Sequence, residues 1–329
     1  MYDVFGLGNA LVDTEVNVDD EFLRQQQIAK GHMTLIDAQR REELSQALAD
    51  QPHKQCSGGS AANTIYAAQA FGLQTAYTCK VANDPVGDFF IKELTDAGVE
   101  INITARADKG QSGQCFILIT PDAERSMNTD LAISSDLSIT DVPLEKLAGA
   151  KYFYVEGYLS SSEKSAAAAV ACREASEQAG VQTCVSLSDP SMVEFFRESL
   201  QQMLGNGVTQ IFCNEEEALT WAKTDRLDIA VAELKDIAPE LYVTLGAKGS
   251  LAVEHGHQHS AAGVEVKAVD TTGAGDIYAG AVMAARLRGA NMLDAARFAN
   301  YAAAHIVTLT GARLHSVQAY QHLQQSWTP

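Results

Sequence analysis

Asp270-Thr271-Thr272-Gly273-Ala274-Gly275-Asp276 is the run of residues from which the rest of the chain is best understood. It follows a strand-like Val264 to Val269, and it opens a helical pattern from Ala274 to Arg288 that stops at Gly289. Glycines without a Cβ let consecutive backbone N–H groups turn toward one point, and the dipole of the following helix makes that point attractive to an anion. A phosphoryl group fits there. Asp276 reads either as a first-turn carboxylate favoured by the dipole or as a base beside the anion. The seven residues together place anion site and carboxylate side by side, as phosphoryl transfer to a hydroxyl requires.

Upstream, short apolar runs alternate with helical patterns, beginning with a strand over Asp3 to Leu7. Ser60 to Phe71 reads as helix and Thr75 to Val81 as strand, which with the first strand makes one βαβ unit, and Pro85 to Ala97 reads as helix stopped by Gly98. The pattern resumes with strands at Lys151 to Val155, Thr183 to Leu187, Gln210 to Cys213, Leu241 to Leu245 and Ser250 to Glu254. A long helix over Glu163 to Ala179 ends at Gly180, and Met292 to Leu309 and Val317 to Gln325 complete the helices. Such alternation predicts an α/β fold with a mostly parallel sheet covered by helices. Residues 14–36 and 104–130 break it and are expected to leave the main sheet. With no fixed-period repeat and no low-complexity linker, 1–329 reads as a single domain.

Composition narrows the function. The 329 residues are 46% hydrophobic and 20% charged, which suits a globular chain rather than a disordered one. A formal charge of −18, from 42 acidic and 24 basic side chains, repels a polyphosphate backbone, so no nucleic-acid partner is expected. No run reaches 18 apolar residues, so no membrane partner is expected, and Met1-Tyr2-Asp3-Val4 carries an acid where a signal peptide needs basic residues. Six cysteines without a Cys-x-x-Cys pair suggest reduced thiols and a cytoplasmic setting.

Two common nucleotide motifs are excluded. Gly6-Leu7-Gly8-Asn9-Ala10-Leu11 begins like a dinucleotide fingerprint but has Leu11 where the third glycine belongs, and the dipeptide Gly-Lys of a P-loop occurs nowhere. A second glycine-rich element, Ser57-Gly58-Gly59-Ser60-Ala61-Ala62-Asn63-Thr64, stands at another helix start; it is either a ligand turn or a tight loop capped by Ser60. Asp13, just past the first strand, either accepts two hydrogen bonds from a vicinal diol or starts a turn. His255-Gly256-His257-Gln258-His259 puts three imidazoles at a spacing of two, yet Gly256 between two strand-like runs makes a hairpin turn the simpler reading.

Taken together, these residues resemble the ribokinase-like (PfkB) sugar and nucleoside kinases over essentially the whole chain. Gly58-Gly59-x-x-x-Asn63 matches the N-terminal motif of that family and Asp270 to Asp276 its C-terminal motif. Asn214-Glu215-Glu216-Glu217 matches its Asn-x-x-Glu, and Val243-Thr244-Leu245-Gly246-Ala247-Lys248-Gly249 is similar to its nucleotide turn. Within the family the likeness is to the adenosine kinases, through Gly8-Asn9-Ala10-Leu11-Val12-Asp13, Gly113-Gln114-Cys115 and Arg125-Ser126.

The resemblance implies a three-layer sandwich with a small β lid formed by 14–36 and 104–130, and an ATP-dependent kinase acting on a primary hydroxyl of a nucleoside, adenosine first. A sugar kinase for ribose or fructose is the alternative; a non-catalytic nucleotide-binding protein of the same fold is the rival outside enzymes. Asp276 would be the base, with Gly273, Ala274 and Gly275 as the anion hole. Asn9, Asp13, Gly58, Gly59, Asn63 and Cys115 would face the acceptor. Arg125 would either reach a phosphate or pair with lid acids. Asn214, Thr244, Gly246, Gly249 and Asn300 would follow ATP, and Asn214 with Glu217 would hold Mg²⁺ through water. Read without the family, Asn214 and Glu217 are a helix N-cap and a first-turn acid. Activation by K⁺ and the oligomeric state are not fixed by these motifs.

Overall fold

The computed structural model describes residues 1–103, 109–122 and 124–327, so 104–108 and 123 of the second expected excursion lie outside the described residues. In chain order the strands are β1 (Val4–Leu7), β2 (Leu11–Asn17), β3 (Met33–Leu35), β4 (His53–Gly58), β5 (Thr75–Thr78), β6 (Glu100–Asn102), β7 (Gly113–Ile119), β8 (Arg125–Asp130), β9 (Tyr152–Glu156), β10 (Gln182–Ser186), β11 (Gln210–Asn214), β12 (Glu240–Thr244), β13 (Gly249–Glu254) and β14 (His257–Ala262).

Nine of these form the main sheet, in the order β14-β13-β12-β11-β10-β9-β1-β5-β6. From β12 to β6 the strands are parallel, and β13 and β14 close one edge antiparallel. β1 and β9 are buried throughout, as strands covered on both faces must be. Their alternate side chains feed two cores: Val4, Tyr152 and Tyr154 join one, Phe5, Leu7, Phe153 and Val155 the other. Each such burial is worth about 1.5–3 kcal/mol. Helices Ser60–Ala70, Ala274–Leu287 and Met292–Ile306 cover the first face, and Glu163–Ala179 and Arg197–Leu204 the second. The result is three layers.

Local signals set the helix ends. Ser162 caps Glu163–Ala179, and Gly180 ends it at φ +72°. Asp84 caps Pro85–Asp96, with Pro85 in the first turn. Ser60–Ala70 and Ala274–Leu287 pack at very short range, since a Cβ on Gly280 would lie 2.8 Å from the Thr64 carbonyl oxygen and from the Ala67 Cβ. That contact sets the two glycine-rich helix starts side by side.

The other five strands form a second sheet, β3-β8-β7-β2-β4. Val16, Phe116 and Leu118 pack its outer face against Leu23, Leu44 and Leu48 of helices Asp20–Gln25 and Ala38–Leu48. β4 falls in neither expected excursion: His53-Lys54-Gln55 is polar and exposed, so it carries no alternation that would mark it as a strand.

Val264 to Val269 is not a strand. Val264, Val266 and Val269 are 39%, 39% and 53% exposed, and the segment joins no ladder. β-branched residues favour a pleated surface only where a neighbouring strand receives them, and β14 already ends the sheet. The histidine-rich run turns at His255-Gly256, both exposed and at positive φ, and continues as the start of β14, with Glu254 opposite His257. All six cysteines are free. Among the described residues no helix is long and apolar enough to cross a membrane.

Candidate active site

Five parallel strands end, at their carboxyl termini, around one cavity of about 560 Å³. Asn9 follows β1, and Glu156, Ser186, Asn214 and Thr244 close β9, β10, β11 and β12; all five line it. The strand order reverses between β1 and β9, the place where an open α/β sheet leaves a crevice for a ligand. Both glycine-rich turns open into this crevice through Gly59 and Gly273 to Asp276.

The second sheet forms the opposite wall. Leu11 and Asp13 on β2, Met33 and Leu35 on β3, Cys115 and Ile117 on β7, and Met127 and Thr129 on β8 all line the cavity. Each pair is two residues apart, as one face of a pleated sheet demands. In register Asp13 lies between Cys56 and Cys115. The wall is mostly aliphatic and thioether, while the strand ends beneath it are mostly polar.

Asp276 is held from two sides. Ser60 Oγ donates to its Oδ1 at 2.7 Å and Asn63 Nδ2 to its Oδ2 at 3.1 Å. Burial pushes its carboxyl up to about 6, against the pull of these two bonds and of the Arg313 charge. The helix that carries Asp276 in its first turn has Gly273 at its start, at φ +77°, and no side chain caps it. A Cβ on Gly273 would lie 2.4 Å from the Ala312 carbonyl oxygen, whereas one on Gly275 would meet nothing within 4 Å. The turn is thus tight against the protein on one side and open on the other. Uncapped helix amides beside open space fit an anion.

Asp13 sits opposite on β2 and does not start a turn. Burial pushes its carboxyl up to about 7, with the Arg313 charge opposing and Glu15 adding to the rise. Gly58 does not line the cavity; its missing side chain leaves room for Asp13, whose carboxylate oxygens would lie 2.2 and 2.5 Å from a Cβ there. Cys115 lines the wall, its Sγ accepting from Thr129 Oγ1, and burial pushes its thiol well above the usual range.

Asn214 and Glu217 form a capping box: the Glu217 amide donates to Asn214 Oδ1 at 2.8 Å, and the Glu217 carboxylate accepts from Asn214 N and Nδ2. Both line the cavity, and burial pushes the Glu217 carboxyl up to about 8. Among the described residues no three His, Cys, Asp or Glu side chains converge as a metal set. An all-oxygen pair of this kind fits a hard cation that keeps most of its waters.

Thr244 and Gly246 line the cavity, but Gly249 and Asn300 stand behind it. A Cβ on Gly249 would lie 2.2 Å from the Ala261 carbonyl oxygen, and Asn300 Nδ2 donates to the carbonyls of Ala261 and Ala262. Arg125 is outside the cavity wall. It pairs with Glu15 and, at 2.8 Å, with Asp270, so that it ties the second sheet to the turn that begins the C-terminal motif. Asp270 in turn accepts from the amides of Thr272 and Gly311.

Two residues escaped the sequence reading. Glu156 is fully buried at the end of β9 and accepts from the amides of Asn9 at 2.7 Å and Ala61 at 2.6 Å; burial pushes it up to about 7. An acid at the end of a parallel strand was a usable signal. Arg313 bonds Asn63 and Ser57 from a segment with no motif, and nothing in the sequence marks it.

Residues 26–319 match the model of the pfkB family of carbohydrate kinases. The chain is 28% identical to an adenosine kinase of Saccharomyces cerevisiae over 307 residues, covering 87% of this chain and 89% of that one. The adenosine kinase of Sinorhizobium meliloti superposes with a TM-score of 0.90 at 32% identity over 99% of both chains. A probable sugar kinase of Rhizobium etli does so with a TM-score of 0.90 at 30% identity over 98% of both.

Proposed function

The chain belongs to the pfkB family of carbohydrate kinases, a kinase for a nucleoside or a sugar, and on that footing we propose that its acceptor is a nucleoside, adenosine first. One observation carries the choice: the cavity faces its polar strand ends with an apolar wall of Leu11, Met33, Leu35, Ile117 and Met127. A free sugar presents hydroxyls on every side and leaves these apolar side chains unused, whereas a nucleoside offers a flat base to them and a ribose to the polar groups of the cavity. The relatives named adenosine kinase agree with that reading.

In this reading Asp276 accepts the proton of the attacking hydroxyl, with Ser60 and Asn63 holding its carboxylate in line. The amides from Gly273 through Ala274 and Gly275, which no side chain caps, take the charge of the transferred phosphoryl group, the Ala274 amide giving up its 3.2 Å bond to the Thr271 carbonyl. Asp13 accepts two hydrogen bonds from the ribose diol, beside Asn9, Gly59 and Cys115. Thr244 and Gly246 lie along the ATP. Asn214 and Glu217 would hold Mg²⁺ through water, where it neutralises phosphate charge. The second sheet acts as a lid that excludes water from the phosphoryl group.

The test is turnover with ATP of adenosine, inosine, ribose and fructose. Adenosine should give the highest kcat/KM, at least about 10-fold above ribose. Ribose or fructose as the best acceptor would overturn the nucleoside reading and favour the sugar kinase.

A further inference from the structure

We infer that Arg313 is a positioning residue for Asp276: its guanidinium fixes the Asn63 amide so that Asn63 Nδ2 faces the Asp276 carboxylate. This rests on the reading of Asp276 as the base.

The geometry is a relay of three contacts. Arg313 Nε donates to Asn63 Oδ1 at 2.8 Å, its Nη1 donates to Ser57 Oγ at 2.6 Å, and its guanidinium lies 4.5 Å from the centre of the Tyr66 ring. A guanidinium has donors and no acceptor, so only the carbonyl end of the Asn63 amide can meet it. The NH₂ end is thereby turned to Asp276 Oδ2. Rotated by half a turn, the amide would set its oxygen lone pairs against the carboxylate and its NH₂ hydrogens against the guanidinium. Asn63 is only 5% exposed, so water does not readily replace either partner.

The segment bearing Arg313 is itself anchored to the site. Its neighbour Ala312 is the residue that crowds Gly273, and Gly311 donates to Asp270. Ser57, the other contact of Arg313, also donates its amide to Glu93, so the guanidinium is clamped to the end of β4. Charge agrees with geometry. The titratable groups that feel Asp276 are Asp13, Glu156 and Glu217 with Tyr154, Tyr158 and Tyr320, all acids. Arg313 is the cation that draws its carboxyl down.

The experiment follows the Asp276 carboxyl by ¹³C NMR titration of the substrate-free protein, with the signal identified by its loss in Asp276→Asn, beside kcat and KM across pH. Arg313→Gln should raise the Asp276 titration midpoint by about half to one pH unit, shift the acid limb of kcat the same way and lower kcat about 10- to 100-fold. Both KM values should stay within about threefold. Arg313→Lys keeps the charge without the fork and should show a smaller shift; it also serves where Arg313→Gln does not fold. Loss of activity with the carboxyl titration and the acid limb both unmoved would overturn the inference, leaving Arg313 only structural. A shift in the titration, in a protein that phosphorylates none of the four acceptors, would uphold the positioning and sink the kinase-base reading instead.

Discussion

Gly59 and Gly273 each begin a helix, at φ +96° and +77°, and each carbonyl accepts the amide four residues on, from Asn63 and Ile277 at 2.9 Å. No side chain caps either helix from the Ncap position. Their surroundings differ. At the first start the Ala61 amide is already answered by Glu156, a carboxylate delivered from β9. At the second, among the described residues, no side chain caps the helix start, and the space beside Gly275 is open. One backbone device therefore serves two ends: where the protein supplies its own acceptor the helix start is structural, and where it supplies none the start is left to a ligand.

That contrast can be broken most sharply at Asp276. Asp276→Asn should lower kcat about 10²- to 10⁴-fold while ATP binding, followed by calorimetry, is retained. Near-normal turnover would make the second start structural as well. A smaller effect separates the glycines within it. Gly275→Ala meets nothing and should leave the urea midpoint unchanged or slightly higher, yet cut kcat/KM for ATP about 10-fold. Gly273→Ala must hold a left-handed φ against the Ala312 carbonyl and should lose about 1–3 kcal/mol of stability. Equal behaviour of the two would erase the distinction between a glycine the fold requires and one the ligand requires.

The smallest effect concerns the built-in acid, Glu156. Burial raises the Glu156 carboxyl from its ordinary 4.5 to about 7. The folded chain thus holds that proton more tightly than the unfolded one, so its contribution to stability is complete below about pH 4.5 and is lost as pH rises toward 7. Glu156→Gln does not titrate. Urea unfolding at pH 5, 6, 7 and 8 should show the wild-type advantage over the variant shrinking across that range; an advantage that grows with pH would contradict it.

Sequence reached one of these two helix starts further than the other. Glycine spacing, helix caps and the ends of apolar runs are local, so Gly59, Gly273, Asp276 and the capping box of Asn214 with Glu217 could be read from neighbours alone. Glu156 could be noticed as an acid ending a strand, but its contact with Ala61, like that of Arg313 with Asn63, could not be read, because the partners stand 95 and 250 residues away. The same limit explains the strands. Val264 to Val269 has the residue types of a strand but no neighbour to pair with, while β4 has polar residues and a partner in β2. Arg125 left two outcomes open from sequence, and in the structure it pairs with Glu15 and Asp270.

The position of β1 bears on how the chain is made. It lies between β5 and β9, with Val4 opposite both Thr75 and Tyr152. A ribosome delivers β5 early and β9 much later, so for most of the first half of synthesis β1 has one bare edge, and the acid of Glu156 has not yet arrived to seat the amides of Asn9 and Ala61. Bare parallel edges recruit other chains. The nascent chain is therefore most open to aggregation before residue 156 emerges, and truncations that stop short of β9 should be insoluble even though they contain a complete βαβ unit.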